Sequence, residues 1–318
     1  MKKILFISVR DPFSGRYSGD VIRAEKFISY LSKKNYVDVI SLGKDNNEFR
    51  KKNLRVRTFL RSNFFQIFLN FFLSIIKLKP IHFNLFYSSK INKFVKKQIN
   101  NYDVIFCHSI RAFQYIPKTI KKKIILDMGD LYSKNYHQTY ENLSYINPLK
   151  IIYFIESKIV EKYEKYCFEK ANKILLFSKS EINLLKNKEK KKLVQIDFGV
   201  EKFKNFFKYE KKNFKILFIG NINYTPNKKA CFDFIEKILP KIKLIYPEIE
   251  FHIIGEVNEI DRYFLKKKNG VKILGKVENL QPHLRKVICG IANLNISTGV
   301  QTKILTYMSY GIPCIASE

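Results

Sequence analysis

The 318 residues suffice for two domains of ordinary size, and 46% hydrophobic residues fill a core with ease. A formal net charge of +31 suits an anionic partner such as a membrane surface or a phosphorylated ligand, although abundant Lys, Asn, Ile, Phe and Tyr with no Trp equally fits AT-rich coding bias. The five cysteines, odd in number and none close-paired, argue against a disulfide framework and a zinc site; the scattered basic residues, without an RNA-recognition or helix-turn-helix signature, argue against nucleic acid.

Residues 1–13, MKKILFISVRDPF, join a basic start to an apolar run too short for a signal peptide, and predict a buried first strand. No uninterrupted apolar span reaches membrane length. The loop VRDPFSGRYSGD leads into a helix over VIRAEKFISYLSKKN, with Ile22, Phe27, Ile28 and Leu31 on one side, and then a strand at VDVISLG.

Residues 57–86 read RTFLRSNFFQIFLNFFLSIIKLKPIHFNLF. Phe64, Phe68, Phe71, Phe72, Ile75 and Ile76 recur at helical spacing between Arg57, Arg61, Lys77 and Lys79. Asn70 and Ser74 interrupt the run, which is too short to span a bilayer. It is either an amphipathic helix lying on an anionic membrane or a helix packed on the first domain. Further strands are predicted at 102–109, 122–129 and 172–178. Before the last of these comes a long helix near 148–170, with Glu156, Glu161 and Glu164 among apolar positions.

The chain then restarts. KILFIG at 215–220 repeats the KKILFIS of 2–8, and each is a strand of the type buried on both faces. Here the loop is GNINYTPN, the helix KKACFDFIEKILPKIKLIYP is broken or bent at Pro240, and the next strand is EFHIIG. Strands follow at 271–277, 288–296 and 312–317. The charged segment 194–213 is the linker, which gives domains at 1–204 and 205–318. Two βαβ openings predict two Rossmann-like domains with a ligand cleft between the carboxyl ends of their strands. That architecture names no reaction.

The closing stretch, STGVQTKILTYMSYGIPCIASE, enters a helix after Gly299. Such a start turns backbone N–H groups and the positive end of the helix dipole outward, and Lys303 reaches the same spot. This serves for a diphosphate; the alternative is an ordinary helix start with a solvated lysine.

The segment TGVQTKILTYMSYGIPCIAS resembles the pattern G-[IV]-Q-[NT]-K-[VI]-L-E-x-M-x-x-G-x-P-V-[IV]-A-S of family-four retaining glycosyltransferases, especially the bacterial branch that includes the exosortase-associated sugar transferases. FIGNINYTPNKKACFDFIEKILPKIKLIYPEIEFHIIG, VKILGKVENLQPHLRKV and DPFSGRYSGDVIRAEKFISYL resemble further segments of that branch, so the resemblance spans nearly the whole chain.

The resemblance implies an α/β GT-B fold: two Rossmann-like domains facing across a cleft, the second incomplete at its C-terminal end, since relatives continue past this point. It implies retaining transfer from a UDP- or GDP-type sugar without metal or other cofactor. The diphosphate would be held by Gly299, Val300, Gln301, Thr302 and Lys303, with Lys228 and Lys229 as further contacts and Gly15 and Gly19 approaching from the first domain. Without a divalent ion, helix N-termini and cationic side chains must stabilise the leaving group. Lys303 and Asp127 take the catalytic positions. Val277 and Glu278 lie in the loop that meets the base. Thr306 stands where a glutamate usually binds the ribose, and Asn221 where an arginine is common.

On the sugar and acceptor side stand Asp20, Arg23, His108 and Asp130. Asp20 and Arg23 orient the diphosphate or cap and flank their helix. Asp127 falls where the family often has a histidine touching the donor sugar. Asp127 and Asp130 bind sugar hydroxyls or serve as turn residues, and His108 ends a strand as ligand contact or packing. The implied acceptor is a cell-surface glycan or polyprenyl-linked glycan, met in the cytoplasm at the inner face of the membrane. The alternative is a catalytically degenerate relative, a basic protein binding membrane surface or anionic ligands. A sugar-nucleotide epimerase would need acid–base groups that five histidines, none in an evident pair, do not supply.

Overall fold

The computed structural model describes residues 1–14, 19–76, 79–197, 199, 214–294 and 301–317. The chain divides into two compact units, Met1–Phe198 and Gly199–Glu318, where the sequence put the boundary between 204 and 205.

The first unit holds β1 (Lys3–Ser8), β2 (Tyr36–Gly43), β3 (Glu48–Lys51), β4 (Leu54–Leu60), β5 (Val104–His108), β6 (Lys123–Gly129), β7 (Lys173–Leu176) and β8 (Leu193–Gln195). They form one sheet in the order β3-β4-β2-β1-β5-β6-β7-β8, parallel throughout except for the antiparallel β3–β4 pair. Its helices are α1 (Gly19–Ser32), α2 (Phe64–Ile76), α3 (Ser89–Gln98), α4 (Tyr132–Asn142), α5 (Leu149–Lys170), α6 (Lys179–Asn183) and α7 (Asn187–Lys190).

Alternate residues of β1 go to opposite faces. Ile4 and Phe6 join one apolar cluster with Ala24 and Ile28 of α1; Leu5 and Ile7 join another with Ile91, Val95 and Cys167. A parallel strand covered on both faces therefore reads as an unbroken apolar run. α1 buries Val21, Arg23, Ala24 and Ile28, so its inner face is turned from the predicted stripe and takes Arg23 inside; Ile22, Phe27 and Leu31 are half-buried.

Strands β3, β4 and β8 are additions to the predicted set. Residues 57–60 belong to β4, and the helical spacing read from Phe64 to Ile76 is a helix with those bounds, followed by a 3-10 turn at Ile81–Phe86. The arginines that obscured β4 are paired across strands. Glu48 takes Arg55 at 2.9 Å and Arg57 at 3.2 Å, while Arg57 also reaches the buried Asp38 at 3.0 Å.

The second unit is a five-stranded parallel sheet in the order β11-β10-β9-β12-β13, from β9 (Lys215–Ile219), β10 (Glu250–Ile254), β11 (Val271–Gly275), β12 (Val287–Ala292) and β13 (Cys314–Ala316). Its helices are α8 (Thr225–Asp233), α9 (Leu239–Ile245), α10 (Glu259–Lys266) and α11 (Thr302–Ser309). The predicted break at Pro240 is a π turn, Phe234–Ile238, between α8 and α9. Proline has no N–H for the i−4 carbonyl and its ring crowds that group, so the turn before it widens. All five cysteines are free, and Cys107, Cys167, Cys231 and Cys289 are buried.

Candidate functional site

In an open parallel sheet, ligands bind beyond the carboxyl ends of the strands where the strand order reverses. In the second unit that point lies at the ends of β9 and β12. α11 stands beside it, and two of its side chains, one helical turn apart, face the sheet. Tyr307 is fully buried, and its hydroxyl accepts from Ile219 N at 2.9 Å and lies 3.2 Å from Leu217 O and 3.3 Å from Ile291 O. Its ring lies flat on Gly290, where a Cβ would come within 2.5 Å of the ring atoms. Tyr307 thus fixes α11 against β9 and β12.

Lys303 is the second residue of α11 and only 7% exposed, which departs from the solvated alternative. Its Nζ donates to Asn227 Oδ1 at 2.7 Å and stands 4.0 Å over the Phe218 ring. Burial lowers its pKa to about 8. Asn227 is itself oriented, since its Nδ2 donates to the Asn221 carbonyl at 2.9 Å. A partly dehydrated cation beside the N-terminus of an eight-residue helix is an anion-binding arrangement.

The helix starts at Thr302, with Gln301 as its half-buried N-cap. Gly299 and Val300 lie outside the described residues. The Thr306 hydroxyl donates to Thr302 O at 2.9 Å, one turn back in its own helix. Val277 is half-buried against the cluster that holds Leu217, Leu280 and Tyr307.

The floor of this region is cross-tied. Asn221 Nδ2 donates to Glu256 at 3.2 Å, and Asn223 Oδ1 accepts from Asn258 N at 2.9 Å. Gly255 sits at φ +143°, and a Cβ there would fall 2.0 Å from Gly220 O. Lys228, expected as a diphosphate contact, is paired with the buried Asp261 at 2.5 Å, and Lys229 with Asp233 at 3.0 Å.

The first unit has its own reversal at the ends of β1 and β5, beside α1. Gly15 lies outside the described residues, and Gly19 opens α1. Asp127, expected to face a sugar, is 2% exposed and both of its oxygens already accept hydrogen bonds. Arg23 Nε donates to Oδ2 at 2.9 Å and Nη2 to Oδ1 at 2.8 Å, and His108 Nδ1 lies 2.8 Å from Oδ2. Burial alone would raise the carboxyl, but the bonds from His108 and Arg23 hold it below the usual range.

Arg23 is buried within the first unit, 7% exposed. Its guanidinium lies 4.8 Å from the Phe27 ring centre and 3.8 Å from that of Phe177. His108 Nε2 sits 2.9 Å from the Asp20 carbonyl. These contacts make a strut from β6 through β5 to the first turn of α1. Asp20 is the member that reaches solvent, its carboxylate 40% exposed and paired with Arg10 at 2.8 Å.

Asp130 is the other polar group the sequence singled out. Its Oδ1 is buried without a hydrogen-bond partner, and burial together with the Glu181 carboxylate pushes its pKa up to about 7. Two further carboxylates support the same chain segment: Glu164, noted in the sequence among the apolar positions of its helix, and Glu181, which was not singled out. Glu181 accepts from Leu131 N at 3.0 Å, and Glu164 accepts from Ser133 N at 3.0 Å and Ser133 Oγ at 2.5 Å. Asn227 and Tyr307 were also not singled out; the i, i+4 spacing of Lys303 and Tyr307 was the one signal for the latter.

Residues 213–318 match the family model described as Glycosyl transferases group 1. Over 99% of its length the chain is similar to the Anabaena protein Alr3699/HepE solved with UDP-glucose, at 13% identity and a TM-score of 0.62, covering 80% of that chain. Over 99% it is also similar to an α,α-trehalose 6-phosphate synthase from Burkholderia multivorans, at 9% identity and a TM-score of 0.62, covering 83% of that chain. The chain has the GT-B fold. No curated protein matches it. In GT-B terms the first unit is the N-terminal Rossmann-like domain, and the second, which carries Lys303, is the C-terminal one.

Proposed function

We propose that the chain is a glycosyltransferase moving a sugar from a nucleotide diphosphate of the UDP or GDP type to a cell-surface glycan or polyprenyl-linked acceptor. The observation that carries this reading is the buried Lys303 ammonium, oriented by Asn227 at the start of α11, inside the segment that matches the group 1 glycosyl transferases. The binding of UDP-glucose by HepE supports a nucleotide sugar as donor.

Transfer proceeds with retention and without a metal ion. Lys303 and the backbone N–H groups of the α11 start stabilise the leaving diphosphate. An oxygen of that diphosphate helps accept the acceptor's proton. Asp127 acts as a positioning residue through Arg23 and His108, while Asp20 and Asp130 belong to the sugar and acceptor side. The protein works in the cytoplasm at the inner face of the membrane, which residues 57–86 contact.

Calorimetric titration of the full chain with UDP and GDP, beside Lys303→Met, tests the reading. Binding to one nucleotide that disappears in the variant is the expected result. Binding to neither overturns it.

One observation favours the second reading, a degenerate relative. Thr306 stands where the family's ribose-binding glutamate is usual, and its hydroxyl donates a hydrogen bond to Thr302 O. Thr306→Glu separates the two: a sharp gain in nucleotide affinity marks a weakened ancestral site.

A further inference from the structure

α2 is attached to the first unit by its polar side. Asn84 Nδ2 donates to Ser74 Oγ at 2.9 Å and to Asn70 O at 3.1 Å, and Ser74 is buried. On the opposite side Phe65, Phe68, Phe72 and Ile76 are exposed, Phe65 by 68% and Ile76 by 76%. A helix covering an aqueous protein does the reverse, turning its apolar stripe inward. The side chains of Phe64 and Ile75 lie outside the described residues.

The apolar exposure continues on a second element. At the start of α5, Ile151, Ile152 and Ile155 are exposed, and Tyr145 and Ile146 just before it are each 93% exposed. The two stretches are joined by the 3-10 turn Ile81–Phe86, whose Leu85 is also exposed. Asn84 of that turn holds α2. Glu156 of α5 accepts from Ile81 N and His82 N, each at 3.2 Å, and contacts His82 Nδ1. Glu156 is buried, so the same residue that ties the turn to α5 removes the only acid from that end of the helix surface.

Charge selects the occupant. From residue 49 to 102 the sequence contains no Asp or Glu, and all of its charged residues are Lys or Arg. Arg61 and Lys79, on either side of α2, are exposed, as are Lys90 and Lys93 of α3. α2 is about 20 Å long at about 1.5 Å per residue, short of the ~30 Å hydrocarbon layer. No described helix is long and apolar enough to cross a membrane. Apolar side chains turned outward on a short helix, with basic flanks, fit the surface of an anionic bilayer.

We propose that α2, the 81–86 turn and the start of α5 form one composite face that lies on an anionic lipid bilayer. This extends the contact proposed above for 57–86 and rests on it; it does not depend on the chain being a transferase.

The test is co-sedimentation of the full chain with phosphatidylglycerol–phosphatidylcholine vesicles and with phosphatidylcholine vesicles. It compares the native chain with Phe68→Ser/Phe72→Ser and with Ile151→Ser/Ile152→Ser, each checked for an intact thermal transition. The expected result is binding to the anionic vesicles only, reduced by about tenfold or more by either pair. An α5 pair that binds like the native chain overturns the composite face while leaving α2 as a contact. Absence of vesicle binding, with lipid-free self-association that both pairs abolish, overturns the proposal in favour of a second copy of the chain. UDP titration of the same variants keeps the readings apart, since nucleotide binding is expected to stay unchanged when vesicle binding is lost.

Discussion

Lys303 and Asn227 stand 76 positions apart in sequence and 2.7 Å apart in space, and their bond turns an otherwise flexible ammonium into a fixed one. The lysine has lost most of its water and donates to a neutral amide, and among the described residues no carboxylate pairs with it. Its charge is therefore held ready for an anion rather than neutralised.

The pH dependence of nucleotide binding follows. Burial has lowered Lys303 from 10.5 to about 8, so the free protein loses this charge as pH rises through that value. UDP affinity is expected to fall above pH 8, by at most about tenfold per pH unit, with proton uptake on binding. Stability moves the other way: the unfolded chain holds the proton up to a higher pH, so folding is favoured as pH rises from about 8 toward 10.5. Titration calorimetry in buffers of different ionisation enthalpy checks the first part. In Lys303→Met, where nucleotide binding is expected to be lost, the rise in stability between about pH 8 and 10.5 is expected to disappear as well.

Gly290→Ala tests whether Tyr307 positions the lysine. The added methyl would sit within 2.5 Å of the ring, and either the ring or α11 must shift. A loss of about 1–3 kcal/mol in chemical denaturation is expected from overpacking, together with weaker UDP binding. Full UDP affinity in a destabilised variant would separate the anchor from the site.

Asp127→Ala removes the shared acceptor of Arg23 and His108. The guanidinium is then left buried without a counter-charge, at an expected cost of about 3–5 kcal/mol. Asp127→Leu combined with Arg23→Met is expected to cost less than Asp127→Ala, because no charge remains inside. A double variant less stable than the single one would contradict this account of the pair.

Asp130 titrates near neutrality. Its folded value, about 7, lies above the ordinary 3.8, so between these limits the folded chain holds a proton the unfolded chain has released. This group therefore makes stability fall as pH rises from about 4 to 7. Asp130→Asn is expected to raise the melting temperature at pH 8 and to leave it little changed at pH 4. Melting curves at the two pH values decide it.

The parallel strands were legible because both of their faces are covered. Ile4 and Phe6 answer one layer, Leu5 and Ile7 the other, and the run stays apolar throughout. β4 was not legible, because its alternating Arg55 and Arg57 depend on Glu48 and Asp38 from neighbouring strands. The same limit applies to the site. Local sequence marked Lys303 and Asp127, but Asn227 and Arg23 reach them across 76 and 104 positions. For α2, periodicity gave an apolar stripe without telling which side the protein would hold; the Asn84 bridge to Ser74 and Asn70 decides that.

The near-contact of Gly255 with Gly220 O has a consequence for anyone recombining this chain with its relatives. The loops after β9 and β10 fit only as a matched pair, since Asn221 and Asn223 are bonded to Glu256 and Asn258. A crossover placed between 221 and 255 would take one loop from each parent and set a side chain against a backbone carbonyl wherever the donor lacks glycine at 255. Productive chimeras are expected to inherit both loops from one parent, and a saturation library at codon 255 to return glycine.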